Sequence, residues 1–187
     1  MGVDRKLVLL GPPGSGKGTQ AEVLAARLGV PHVSTGNMLR EAVAAGTELG
    51  RKVSGIMNTG ALVDDETMAE VVRERLGRAD ARRGFILDGY PRTLGQAETL
   101  EEILAGAGDG DLGRVVLLEV PAEVLVERAR GRGREDDEDG VVRERLRVYR
   151  EKTEPLVEYY DQRGLLRSVD GDAPVEEVTR RILEAVG

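Results

Sequence analysis

The chain of 187 residues contains no cysteine, no tryptophan, one phenylalanine (Phe85) and one histidine (His32). Without cysteine, disulfides and thiolate-zinc sites are excluded, and nothing in the composition calls for an oxidising compartment. With so few aromatic rings the core must be aliphatic. Long apolar runs are missing as well: none approaches a membrane span, and the N-terminal residues carry no signal-type apolar region. A cytoplasmic protein without membrane contact is therefore expected. An excess of basic charge is also absent. There are 34 acidic against 27 basic residues, a net charge of −7, so no global field draws nucleic acid. What is present, 40% apolar and 33% charged residues, suits a single soluble domain of ordinary size.

Short apolar runs alternate with helical periodicity. Residues 7–10, 85–87 and 115–118 read as buried strands, and 32–34 and 165–169 as shorter candidates. Apolar residues at helical spacing include Ala21, Leu24, Ala25 and Leu28, then Met68, Val71, Val72 and Leu76, and finally Val175, Val178, Ile182 and Val186. Gly29, Gly77, Gly131 and Gly164 stand where helices are expected to stop. Strands separated by helices imply right-handed crossovers and a parallel sheet covered on both faces, the α/β class. The five adjacent acids at 135–139 repel one another and are expected in an exposed loop.

The most informative stretch is Gly11-Pro-Pro-Gly14-Ser15-Gly16-Lys17-Gly18-Thr19, directly after the first apolar run. It matches Gly-x4-Gly-Lys from Gly11 to Lys17. The glycines let the backbone turn through positive φ and approach a phosphate. The loop N–H groups and the positive end of the following helix then face the anion, and Lys17 adds a point charge. The usual Ser/Thr after the lysine is displaced by one position, to Thr19. A second feature is Asp88, at the end of the apolar run 85–87. A carboxylate at the C-terminal end of a buried strand beside a phosphate-binding loop is placed to hold Mg²⁺ through its water shell. Thr19 lies nearby in the sequence logic, and no direct protein-only metal site is expected.

The chain resembles the adenylate kinases among the nucleoside monophosphate kinases. The resemblance is carried, in order, by residues 11–20, by Ser34-Thr35-Gly36-Asn37-Met38-Leu39-Arg40, and by Gly60-Ala61-Leu62-Val63-Asp64-Asp65-Glu66. It continues through Asp88-Gly89-Tyr90-Pro91-Arg92-Thr93, Gln96, the arginine-rich stretch 128–145 and Val169-Asp170-Gly171-Asp172-Ala173-Pro174. These pieces are collinear over nearly the whole chain. The resemblance implies a three-layer P-loop fold with a five-stranded parallel sheet. It implies a small helical insertion over 34–66 that closes on AMP, and a short lid over 131–140 with no room for a zinc-bearing insertion.

The same resemblance assigns roles. Gly14, Ser15, Gly16, Lys17, Gly18 and Thr19 would hold ATP phosphates. Arg128 would stack on the ATP adenine, with backbone near Ala173 beside it. Arg132, Arg134 and Arg145 would close around the transferring phosphoryl group. Thr35, Gly36, Arg40, Ala61, Leu62 and Val63 would meet AMP. Gly89, Tyr90, Pro91 and Arg92 would do so too, with Arg92 on its phosphate, and Gln96 on its base. Taken alone, Thr35 would read as a helix N-cap, Gln96 as an exposed helical position and His32 as structural. Arg130, Arg143, Arg147 and Arg150 read as a solvated face with i,i+4 acid pairs. Two positions depart from the family pattern: Asn37 stands for the common Asp, and Tyr90 for the commoner Phe.

The implied reaction is MgATP + AMP ⇌ MgADP + ADP by direct in-line transfer in a monomer. Lys17, Asp88, Arg92, Arg132, Arg134 and Arg145 would be the catalytic set. No general base is required, because the AMP phosphate oxygen is already anionic. The alternatives are a UMP/CMP kinase of the same fold and a low-turnover P-loop switch. The first usually carries Ala and Asn at the positions of Thr35 and Gln96; the second needs no acceptor site.

Overall fold

The computed structural model describes residues 4–108, 110–132 and 139–187. Five strands, β1 (Lys6–Leu10), β2 (His32–Ser34), β3 (Phe85–Asp88), β4 (Arg114–Glu119) and β5 (Leu166–Asp170), form one parallel sheet in the order β2-β3-β1-β4-β5. Each strand lies within about one residue of the run that announced it. Around the sheet lie α1 (Lys17–Leu28), α2 (Thr35–Ala44), α3 (Glu48–Asn58), α4 (Asp65–Leu76), α5 (Leu94–Ala107), α6 (Ala122–Arg132), α7 (Asp139–Val148), α8 (Pro155–Gln162) and α9 (Val175–Val186).

Alternation along each strand builds two cores. Leu7 and Leu9 of β1 join Ile86, Val116, Leu118 and Val169 on one face, packed against Ala21 and Leu24 of α1 and Val178 and Ile182 of α9. Val8 and Leu10 join Leu87, Val115 and Leu117 on the other. That face is covered by Val72 and Leu76 of α4, Leu100 and Leu104 of α5, and Leu156 and Tyr160 of α8. Because both faces are covered, the central strands read as continuous apolar runs rather than alternating ones.

Helix ends follow local chemistry. Ser34, Thr47, Asp64 and Thr93 cap α2, α3, α4 and α5, each accepting from the backbone N–H three residues on. Gly29 and Gly77 follow α1 and α4 directly. Gly131 does not stop its helix: α6 runs through it to Arg132. One glycine lowers helix propensity by only about 1 kcal/mol, and the good helix formers Ala and Arg before it prevail. The expected acidic loop is, apart from Asp139, outside the described residues, as is Arg134. A π-helical turn, Tyr149–Thr153, joins α7 to α8. Among the described residues no helix is long and apolar enough to cross a membrane.

The neighbours of β1 are β3 on one side and β4 on the other, so the crossovers diverge there. In such sheets the crevice opens at the C-terminal strand ends. Asp88 is the last residue of β3, and residues 11–16 and Gly171 directly follow β1 and β5.

Candidate functional site

A cavity of about 580 Å³ occupies that crevice. It gathers the P-loop, the start of α2, the loop 60–63, the loop after β3, and parts of α6, α7 and the turn after β5. The P-loop enters α1 through Gly16, which has φ 97° and caps the helix with no side-chain bond, so the first N–H groups of α1 face the cavity. Lys17 Nζ folds back and donates to the carbonyls of Gly11 (2.8 Å) and Pro12 (3.1 Å). Ser15 Oγ is buried with no hydrogen-bond partner among the described residues.

Asp88 stands between the two halves of the cavity. Its carboxylate faces Gly18, and its Oδ2 lies 3.4 Å from His32 Nε2 on the adjoining strand β2. Burial opposes ionisation of Asp88, but the hydrogen bond from His32 and the charges of Lys17, His32 and Arg92 outweigh it. The carboxyl is held below its ordinary range. His32 therefore has a definite structural task beside the site: it supports this carboxylate. Thr35 is not the N-cap of α2; Ser34 is. The Thr35 hydroxyl is buried and donates to the Asp88 carbonyl at 3.3 Å. Gly89 follows with φ 88°, and a Cβ there would sit 2.6 Å from Thr35 Oγ1 and 3.2 Å from Arg92 Nη2. Glycine is what lets these three residues converge.

On the acceptor side, Arg92 Nε donates to the Gly89 carbonyl at 2.8 Å. Burial lowers the Arg92 pKa, and the Asp88 charge partly restores it. Arg40 Nη2 donates to Asn37 Oδ1 at 2.5 Å, one helical turn away, and its guanidinium lies against Gly36. Asn37 thus supplies an acceptor without a carboxylate's charge. Gln96 is not an exposed helical position: it is only 2% exposed and lines the cavity. Its Oε1 accepts from the Arg92 N–H at 2.7 Å, and its Nε2 donates to Asp65 Oδ1 at 2.9 Å. Thr153, on the π-helical turn, donates to the Arg92 carbonyl at 2.7 Å. Ala61, Leu62 and Val63 line the same wall.

Arg128 spans the donor side. Its Nη1 donates towards the Gly14 and Ser15 carbonyls and its Nη2 to that of Gly171 at 3.1 Å. Arg128, Arg145, Ala173, Gly14, Gly16, Gly18, Thr19, Gly36, Gly89 and Pro91 all line the cavity. Arg145 is brought there by α7, whose residues 141–145 pack against Gly60. Arg147 stays on the surface, paired with Glu144 and Glu151. Tyr90 corrects its sequence assignment. Its ring is 1% exposed, sits in the core and does not line the cavity, and burial pushes its hydroxyl pKa up to about 12. Of the lid arginines, Arg132 ends α6 without a described side chain, and Arg134 lies outside the described residues.

Asp65, Thr153 and the contact of His32 with Asp88 were not singled out in the sequence. Asp65 falls within a matching segment, whereas no local pattern marks Thr153.

Comparison with known proteins bears on the same residues. A family model described as Adenylate kinase matches residues 9–165, which include the P-loop, Asp88 and the acceptor wall. The chain is 52% identical over 184 residues to "Adenylate kinase" of Thermobifida fusca, covering 97% of each chain. It is 49% identical over 186 residues to "Adenylate kinase 1" of Synechocystis sp., covering 100% of this chain and 99% of the relative. A third relative, "Adenylate kinase" of Kosmotoga olearia, is 46% identical, with 95% and 97% covered. With a phosphate-binding loop and an arginine-lined wall facing each other across one cavity, and with matches of this extent, the chain belongs to the adenylate kinase family.

Proposed function

We propose that this cavity holds two nucleotides at once and carries out the reversible transfer of the terminal phosphoryl group of ATP to AMP, giving two ADP. The observation that carries this reading is the single cavity lined by both Lys17 with the P-loop and Arg40, Arg92 and Gln96. A nucleotide switch needs only the first half of that set.

On the donor side, residues 14–19 take the ATP phosphates. The Ser15 hydroxyl, buried without a partner among the described residues, and the first N–H groups of α1 supply donors, and Lys17 moves from the loop carbonyls to the phosphates. Arg128, which spans the P-loop and Gly171, would lie beside the adenine near Ala173. On the acceptor side, Arg40 and Arg92 take the AMP phosphate through paired N–H groups. Thr35, Gly36, Gly89, Pro91 and the loop 61–63 enclose the nucleoside, and Gln96 reads its base. Tyr90 serves by fixing the backbone between Gly89 and Pro91.

Asp88 and the Thr19 hydroxyl offer hard oxygen donors on the donor side, and the carboxylate is held ionised. This donor set fits a Mg²⁺ ion carried mostly by phosphate and water. When bound, Mg²⁺ would neutralise phosphate charge. Arg145, with Arg132 and Arg134 assigned by family resemblance, would stabilise charge on the transferred group. A single arginine of this kind is worth roughly 10³–10⁵ in rate. The helices α2 and α3 form the acceptor-side insertion, and closure of both sides excludes water that would otherwise accept the phosphoryl group. A monomer acting in the cytoplasm is the setting that the family resemblance implies.

The test is a coupled assay of ADP formation with AMP, UMP and CMP compared as acceptors. AMP should exceed UMP by orders of magnitude in kcat/KM, because Gln96 is built into a hydrogen-bonded wall. Equal use of AMP and UMP would move the chain to the pyrimidine kinases.

A further inference from the structure

Two adjacent acids open α4, and they do different things. Asp64 caps its own helix: Oδ1 accepts from the Thr67 N–H at 2.8 Å and Oδ2 from the Thr67 hydroxyl at 2.8 Å. Asp65 turns away from its helix towards the start of α5. Its Oδ1 accepts from Gln96 Nε2 at 2.9 Å, and both oxygens lie 3.2 Å from the Thr93 hydroxyl. Thr93 is in turn the N-cap of α5, accepting from the Gln96 N–H at 3.2 Å. The carboxylate is pressed so close to this helix start that a Cβ at Gly95 would lie 3.0 Å from Oδ2.

The consequence falls on the Gln96 amide. A carboxylate accepts and a backbone N–H donates, so each end of the amide has one permitted partner. Asp65 holds Nε2, and the Arg92 N–H holds Oε1. Turning the amide over would set its oxygen against the Asp65 carboxylate and its NH₂ against the Arg92 N–H. The side chain is therefore locked in one donor-acceptor order as well as one position. Each end still keeps capacity for a base, one N–H on Nε2 and one lone pair on Oε1. Adenine presents an exocyclic donor beside a ring acceptor. Hypoxanthine, on the same purine frame, presents an acceptor beside a donor. A free amide answers either by flipping; a locked one answers only one.

We infer that Asp65 is a positioning residue that locks the Gln96 amide and thereby sets the choice of 6-amino over 6-oxo purine nucleotides as phosphoryl acceptor. The inference rests on the proposed role of Gln96 in reading the acceptor base. Asp65 touches no substrate in it and acts through Gln96. The simpler account is that an acid in the first turn of α4 favours the helix dipole. That would alter stability without altering which base is preferred.

The experiment compares kcat/KM for AMP and for inosine monophosphate, with ATP as donor, in the parent chain and in Asp65→Ala, Asp65→Asn, Gly95→Ala and Gln96→Ala. Thermal melts accompany the kinetics. The parent should prefer AMP strongly. Asp65→Ala should lower the AMP to inosine monophosphate ratio by about tenfold or more, the worth of one hydrogen bond to a charged group. The effect should appear in the KM for the acceptor, with the KM for ATP unchanged. Asp65→Asn should restore most of the ratio, because its Oδ1 can still accept from Gln96. Gly95→Ala, which crowds the carboxylate without removing it, should shift the ratio in the same direction as Asp65→Ala and provides a second, milder perturbation. If Gln96→Ala lowers the ratio while Asp65→Ala and Gly95→Ala leave it within about twofold of the parent, the lock is refuted and the role of Gln96 stands. If Gln96→Ala itself leaves the ratio unchanged, the reading of Gln96 fails, and the lock with it.

Discussion

Replacing Gly89 by alanine should damage the acceptor half of the site. Gly89 has φ 88°, a conformation that disfavours a side chain by about 1–2 kcal/mol. The new Cβ would also lie 2.6 Å from Thr35 Oγ1 and 3.2 Å from Arg92 Nη2. Opening the first contact to an ordinary 3.4 Å separation needs a shift of about 0.8 Å. The Thr35 hydroxyl would then leave the Asp88 carbonyl, and Arg92 would turn on its bond to the Gly89 carbonyl. Such overpacking costs about 1–3 kcal/mol more. A total of about 2–5 kcal/mol corresponds to a fall in Tm of roughly 4–20 °C for a chain of this size. Misplacement of a phosphate-binding arginine by a large fraction of an ångström should lower kcat/KM for AMP by roughly 10–100-fold. The KM for ATP, whose loop is not touched, should change little. Circular dichroism melts and steady-state kinetics with each substrate varied read both effects. A Gly89→Ala protein with parental Tm and parental KM for AMP would refute the convergence of Gly89, Thr35 and Arg92 as the basis of the acceptor site.

Lys17→Met should lower turnover by several orders of magnitude while the melt changes little, because the ammonium acts on phosphate charge; near-normal turnover in the folded variant would remove Lys17 from the mechanism. Thr153→Val should cost about 0.5–1.5 kcal/mol in denaturant unfolding and raise the KM for AMP, since the bond to the Arg92 carbonyl is lost. Ile182→Ala, in the core between α9 and the sheet, should cost about 2–5 kcal/mol with little change in the KM of either nucleotide. The folded Asp88 carboxyl titrates below the ordinary aspartate range, so its contribution is present above that range and lost as pH falls through the lower folded value. The stability gap between the parent and Asp88→Asn should therefore still be present at pH 5 and shrink below about pH 4; a gap that already closes between pH 7 and pH 5 would contradict it.

The sheet was legible because its strands are short apolar runs buried on both faces, and the P-loop because glycine, lysine and a following helix occur in fixed order. Helix stops were less legible: Gly29 ends its helix, but Gly131 is overridden by the helix formers before it. Single residues of the site depended on tertiary context. Thr35 looks like a cap until Ser34 takes that place, and Gln96 looks solvent-facing until α4 covers it. Tyr90 stands inside a matching motif, yet its ring belongs to the core. The support given by His32, Asp65 and Thr153 comes from strands and helices that meet only in the fold, at separations of 31 to 61 residues, where no local pattern reaches.

The most direct measurement supplies the purified chain with ADP and Mg²⁺ alone and separates the nucleotides by ion exchange over time. Two nucleotide sites that exchange one phosphoryl group should give ATP and AMP in equal amounts, with no inorganic phosphate, and Lys17→Met should abolish both. Conversion of ADP to AMP and phosphate, or no reaction by the folded chain, would contradict transfer between two nucleotides in one cavity.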